Sequence, residues 1–221
     1  MCFAPYISLS SFLIEILLAI YFLSRDPKDK LNQVIGGLSL LLGIYQLNEF
    51  LVCITELKIF TILAMSTTAI LPAIGVIYAL IMWRKELKWY WHALIFSPAL
   101  FFIICFPFWY DIGGMCYRIF IQYPSLGLLG DFFALYYMLY LAATLMIFYF
   151  AVATVKLKFE KRLIYLASLG VVLFNLATFI FIIFLPSMYY VFPSVYCEFG
   201  LLLAILFIFV VWYKEKHKIK F

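Results

Sequence analysis

Charge is scarce in this sequence. Asp, Glu, Lys and Arg make up 12% of its 221 residues, where a soluble domain carries about a quarter. With 68% apolar residues and a mean hydropathy of +1.11, there is too much apolar surface for a water-soluble core to absorb. Histidine is scarcer still: His92 and His217 are the only two, so a zinc-hydrolase site of the membrane ceramidase and progestin-receptor kind, which needs three, has no ligands to form from. The last apolar run holds no lysine before Lys214, which leaves a retinal Schiff base nowhere to form. Phosphate loops, nucleophile elbows and CxxC pairs are likewise missing. The basic residues give a net charge of +5, but they sit in short clusters between apolar runs. No basic face is continuous enough to track phosphates, and nucleic acid is not an expected partner. No cleavable signal is read at the start, and no internal repeat points to an inverted-repeat transporter.

What is present is a series of apolar runs of membrane-crossing length. The reading is all-α: a polytopic seven-helix transmembrane bundle forming one domain over 1–221, with spans at about 7–24, 34–55, 59–83, 89–108, 130–155, 163–185 and 194–213. All lysines and arginines except Lys58 and Arg118 fall in the first, third and fifth loops and the tail. An excess of Lys and Arg in short loops faces the cytoplasm, so the amino terminus is expected outside and the carboxyl terminus inside. Trp83, Trp89, Trp91 and Trp212 fall at the inner boundary, as interfacial tryptophans do. The expected location is the bacterial cytoplasmic (inner) membrane, with the lipid bilayer as the first partner.

The second span carries the polar focus. Gln46, Glu49 and Cys53 are spaced i, i+3, i+7 and share one helix face, which should look inward. A carboxylate away from the helix ends costs about 2.5 to 3.5 kcal/mol, so the folded bundle must offset it. One reading keeps Glu49 neutral and hydrogen-bonded to Gln46 or to Asn175 of the sixth span. Glu15, near the centre of the first span, is a second intramembrane acid that either pairs with Glu49 to share a proton or bonds a neighbouring polar group without function. Asp131 and Glu198 lie near the outer boundary and are expected to be solvated. All five cysteines fall on the outer side, where a disulfide is possible and the odd count leaves at least one thiol free. Cys2 and Cys197 approach the level of Glu49 from the first and last spans and form the candidate pair, while Cys53 and Cys105 also read as apolar filler. Two thiols and a carboxylate without histidine make a weak metal set, so no metal and no cofactor is assigned. Pro72 and Pro98 read as structural kinks, Gly75 and Ala79 as a close helix contact, and Tyr136, Tyr137 and Tyr140 as a packed aromatic patch.

Three segments carry a resemblance: Met1-Cys2-Phe3, then Tyr45-Gln46-Leu47-Asn48-Glu49-Phe50, then Ser194-Val195-Tyr196-Cys197. In layout and in these motifs the chain resembles a bacterial family of small seven-span membrane proteins described only as a domain of unknown function. Its members start Met-Cys-Phe-Ser-Ala, carry His-Gln-x-x-Glu-Gly in the second span and open the last with Ser-Val-Trp-Cys. The resemblance implies that Cys2, Gln46, Glu49 and Cys197 matter together, and it implies no activity. Tyr45 stands where the family has histidine and Phe50 where it has glycine. Glu15 has no counterpart in it.

The leading expectation is an outward-facing polar pocket made by Cys2, Gln46, Glu49 and Cys197, with Asn175 nearby. It would bind a small ligand or ion, or carry a Cys2–Cys197 disulfide. Alternatives are a membrane enzyme acting on a lipid or redox substrate at the outer leaflet, a small transporter or proton-coupled channel using Glu15, Glu49 and Asn175, and a sensory bundle. The short tail after Lys214 leaves a sensor dependent on a protein partner, and a homo-oligomer is a further option.

Overall fold

The computed structural model describes residues 4–109, 113–116, 121–123, 127–184 and 192–221, with side chains described at all of these except 175–184 and 192–199. Cys2 therefore lies outside the described residues, as do the side chains of Asn175, Cys197 and Glu198. Seven helices make up nearly all of the described chain: α1 (Ala4–Arg25), α2 (Lys30–Thr55), α3 (Lys58–Met82), α4 (Trp89–Trp109), α5 (Leu128–Thr154), α6 (Lys158–Phe184) and α7 (Phe192–Lys216). Between α4 and α5 lies a small antiparallel hairpin, β1 (Met115–Cys116) and β2 (Ile121–Gln122), in which Cys116 faces Ile121.

Five of the helices, Pro5–Arg25, Lys30–Thr55, Lys58–Met82, Trp89–Trp109 and Leu128–Thr154, are long and apolar enough to cross a membrane. Their outward surfaces are apolar as well, with Leu13, Leu17, Leu63, Phe101 and Leu139 all exposed. An apolar exterior of this extent belongs against lipid. Helix α6 starts five residues before its expected span and α7 ends three after it. Hydropathy stops at the first charge, whereas backbone hydrogen bonding continues through Lys158 to Arg162 and through Lys214 to Lys216.

Helix α2 packs against α1, α3 and α7, and α3 packs against α2, α4 and α5. The α1–α2 contact is close because Gly36 and Gly43 face α1: a Cβ at Gly36 would stand 2.6 Å from Leu23 and one at Gly43 3.1 Å from Ile16. These contacts fix an antiparallel register in which Glu15 is level with Gly43 and Ser8 with Glu49. Gly75 faces Thr144 of α5, the helix contact expected of the small-residue pair.

Both prolines expected to kink their helices are served by tyrosines of α5. A proline leaves the carbonyl four residues earlier unpaired and crowds its neighbours. At Pro98 the orphaned Leu94 carbonyl accepts from Ser97 (2.9 Å), and the next carbonyl, Ile95, accepts from the Tyr140 hydroxyl (2.8 Å). At Pro72 the corresponding Ala69 carbonyl accepts from Tyr136 (2.8 Å). The tyrosine patch thus ties α3 and α4 to α5 beside their prolines.

The two ends of the bundle differ. At one end lie the α1–α2, α3–α4 and α5–α6 connections and the tail, laced by ion pairs between Arg25 and Glu215, Lys30 and Glu86, Arg84 and Glu160, and Lys214 and Asp29. Trp83 donates to Thr154 there (2.7 Å), and His217 stacks on Phe159. At the other end a Cys53–Cys116 disulfide ties the hairpin to α2, and the Gly114 N–H donates to Thr61 (2.8 Å). Cys53 is therefore a crosslink and not apolar filler. Cys105 is half-buried and free.

Candidate functional site

Glu49 lies one turn and a half before the end of α2 and is 1% exposed. Three hydroxyls converge on its carboxylate. Tyr45, one turn earlier on the same helix, donates to Oε1 at 2.8 Å. Tyr123, which follows β2, donates to the same oxygen at 3.2 Å and shares a 2.9 Å hydrogen bond with Tyr45. Ser8 of α1 reaches Oε2 at 3.5 Å. The tyrosine standing at the histidine position of the resembled family is thus a direct partner of the acid.

The hairpin brings Tyr123 inward, and the disulfide anchors the hairpin. Cys53 lies one turn beyond Glu49 on α2, so the crosslink to Cys116 fixes the loop directly above the acid. Ile121 and Tyr123 are buried at 1% and 4% exposure, which makes this part of the α4–α5 connection belong to the core. Tyr123, Ser8 and the Cys53–Cys116 pairing were not legible beforehand, because each depends on which loop or helix folds over α2.

Below Glu49 the seam between α1 and α2 stays polar. Gln46 is 1% exposed and neither its amide oxygen nor its nitrogen has a partner. Ser11 of α1, also buried, is level with it in the antiparallel register. One further turn down, Glu15 is fully buried, and neither carboxyl oxygen finds a hydrogen bond among the described residues. Its neighbours are Gly43 of α2 and Gly200 of α7, where a Cβ would stand 3.2 Å from Oε1. A side chain at 200 would fill the space the carboxyl occupies.

The polar stripe continues on α2 at heptad spacing through Ser39 and Asn32, both fully buried. Ser39 Oγ and Asn32 Nδ2 lack partners. At the base, Lys214 of α7 donates to Asn32 Oδ1 at 2.6 Å and pairs with Asp29 at 2.9 Å. Asp29 also caps α2 through the Asn32 N–H (3.0 Å). This pair is buried on both sides, and its members read in the sequence as ordinary loop and tail charges. The Asn32, Ser39, Gln46 spacing was the signal that could have extended the site to this end.

Of the residues singled out from the sequence, Gln46, Glu49 and Glu15 share this seam. Asp131 is exposed, as expected. Among the described residues no group of three or more His, Cys, Asp and Glu side chains is arranged to hold a metal ion. The Tyr45, Tyr123 and Ser8 hydroxyls bring oxygen to Glu49, the hard kind of donor that suits a proton or a small hard cation.

No family model, curated protein or solved structure matches this chain. The functional reading therefore rests on the geometry of the seam.

Proposed function

We propose that the chain is a seven-span protein of the bacterial cytoplasmic membrane, amino terminus outside, whose outer half binds a small cation at Glu49. The observation that carries this reading is a carboxylate buried to 1% exposure with hydroxyls of Tyr45, Tyr123 and Ser8 turned toward it. An intramembrane acid is costly and is retained where it binds or relays charge. Hydroxyls that donate to the carboxylate can turn to present lone pairs to a cation, as can the Gln46 amide oxygen. The concentration of Lys and Arg at the opposite end of the bundle supports the orientation, and a disulfide beside the site fits an oxidising exterior. The proposal extends to Cys2, Cys197 and Asn175 as further members of the site. Their support is the resemblance for the two thiols and matching depth for the amide.

The test is thermal unfolding of the detergent-solubilised protein across lithium, sodium, potassium and small organic ammonium salts, with choline as the large control. A cation at a hundredfold excess over its Kd should stabilise the protein by about 2.7 kcal/mol. Glu49→Gln should remove that gain. A wild-type midpoint that shifts no more than that of Glu49→Gln with any cation overturns the reading.

A further inference from the structure

Among the described residues, four buried side chains along one seam have polar atoms without partners: Gln46, Glu15, Ser39 and Asn32, none more than 1% exposed. They are not scattered. Asn32, Ser39 and Gln46 recur at heptad spacing on the α2 face that meets α1 and α7, and Glu15 enters from α1 between the levels of Gln46 and Ser39. The line begins at Glu49 and ends at Asp29 and Lys214. From Asn32 to Glu49 the helix rises about 25 Å, close to the roughly 30 Å of bilayer hydrocarbon.

We propose that this seam is a transmembrane proton path, entered at Glu49, relayed by Glu15 and left at the Asp29–Lys214 pair. The proposal rests on the reading of Glu49 as the uptake site on the outer side and adds the species, the route and the exit. A proton arriving on the Glu49 carboxylate passes, through water held by the Gln46 amide, to the Glu15 carboxylate, and Glu49 is left ionised for the next. Glu15 then releases its proton to water beside Ser39 and Asn32. It leaves through the Asp29 carboxylate, while Lys214 stays protonated and holds Asp29 and Asn32 in register. Protons carry the only charge that moves, and no other bond forms or breaks.

Distances along the seam decide where water is needed. Gln46 to the level of Glu15, and Glu15 to Ser39, are steps of about 5 to 6 Å, each within reach of one bridging water. Ser39 to Asn32 is about 10 Å and needs more than one. A mostly apolar cavity of about 60 Å³ lies on the other side of Leu38 and Leu42, towards Pro72 and Tyr78 of α3, Leu141 of α5 and Leu203 and Phe207 of α7. The fully buried Tyr78 hydroxyl also lacks a partner, and Leu42, which lines the cavity, also contacts the Gly200 position beside Glu15. Among the described residues the charged groups along the seam are Glu49, Glu15, Asp29 and Lys214, with the Arg25–Glu215 pair at the exit end. Water that only satisfied each orphan atom separately would not require them to form one line across the bundle.

Proteoliposomes with a trapped pH dye, driven by a potassium diffusion potential, read the path directly. The wild-type protein should acidify or alkalinise the lumen according to the sign of the potential. Flux should fall about a hundredfold in Glu15→Gln, which keeps the side-chain shape and removes the exchangeable proton. Ser39→Val should lower it severalfold. The carboxyl stretch in infrared difference spectra between high and low pH supplies a second measurement, and Glu15→Gln should remove a band whether or not the variant reconstitutes well. Wild-type flux equal to that of protein-free vesicles, flux unchanged by Glu15→Gln, or a difference spectrum unchanged by it overturns the path. If cation-dependent stabilisation through Glu49 persists in those cases, the outer site stands without the path. If flux is seen without any such stabilisation, the path stands and the uptake site is selective for protons alone.

Discussion

Removing the Tyr45 and Tyr123 hydroxyls one at a time and together gives a coupling whose sign the geometry dictates. Each phenol has one proton to donate. Tyr45 gives its own to Glu49 at 2.8 Å, and Tyr123 divides between Tyr45 at 2.9 Å and Glu49 at 3.2 Å. In Tyr45→Phe the Tyr123 hydroxyl swings fully to the carboxylate, so the loss is cushioned to about 1 kcal/mol, below the 1.5 to 3 kcal/mol of a bond to a charged group. In Tyr123→Phe the short Tyr45 bond survives, and the cost is again about 1 kcal/mol, that of a neutral bond. The double variant removes both of these phenols and keeps Ser8 at 3.5 Å. Its cost should reach about 3 kcal/mol, which exceeds the sum of the singles by about 1 kcal/mol. Reversible unfolding in mixed detergent micelles measures all four corners of the cycle. Repeating the cycle in Glu49→Gln should shrink the coupling, since the shared acceptor is no longer a carboxylate. Additive or less than additive costs refute the idea that the two tyrosines serve one acid.

Two further outcomes follow from the ends of the bundle. Reducing the Cys53–Cys116 disulfide, or replacing both residues with alanine, should lower stability by about 2 kcal/mol. This is less than the roughly 4 kcal/mol a free loop of 63 residues would give, because lipid and packing already hold the helices inside that loop. Unfolding with and without reductant, with thiol content checked by mass, measures this, and equal midpoints refute it. Lys214→Met leaves Asp29 buried and unpaired at one end of the seam. It should cost about 3 to 5 kcal/mol in the same unfolding assay, and a loss below about 1 kcal/mol would show that water already reaches the pair.

How much was readable from residues alone depended on whether a property belongs to one residue or to a pair. Hydropathy is a sum over single side chains, and lipid length is a fixed external ruler, so the helices and most of their ends were legible to within a few residues. Glu49 and Gln46 stood out because an acid and an amide in an apolar run violate that sum, and Glu15 stood out in the same way. Pro72 and Pro98 were legible as prolines within spans, but the α5 tyrosines that serve them were read only as packing, since a hydroxyl's target lies on another helix. The cysteines show the limit most plainly. Cys53 meets Cys116 because the hairpin folds back over α2, and sequence distance carries no trace of that.

The sequence by itself determined that the chain is a helical bundle with an apolar exterior, and that its second helix carries an acid lipid would not tolerate unaided. Both follow from the cost of exposing polar groups to hydrocarbon, which each residue bears independently. Tertiary structure alone decided that Tyr45, Tyr123 and Ser8 converge on Glu49, that Glu15 is enclosed between two glycines, and that Lys214 reaches Asp29 and Asn32. Those arrangements depend on which faces of α1, α2 and α7 meet and in what register. That choice is made by packing across the whole bundle.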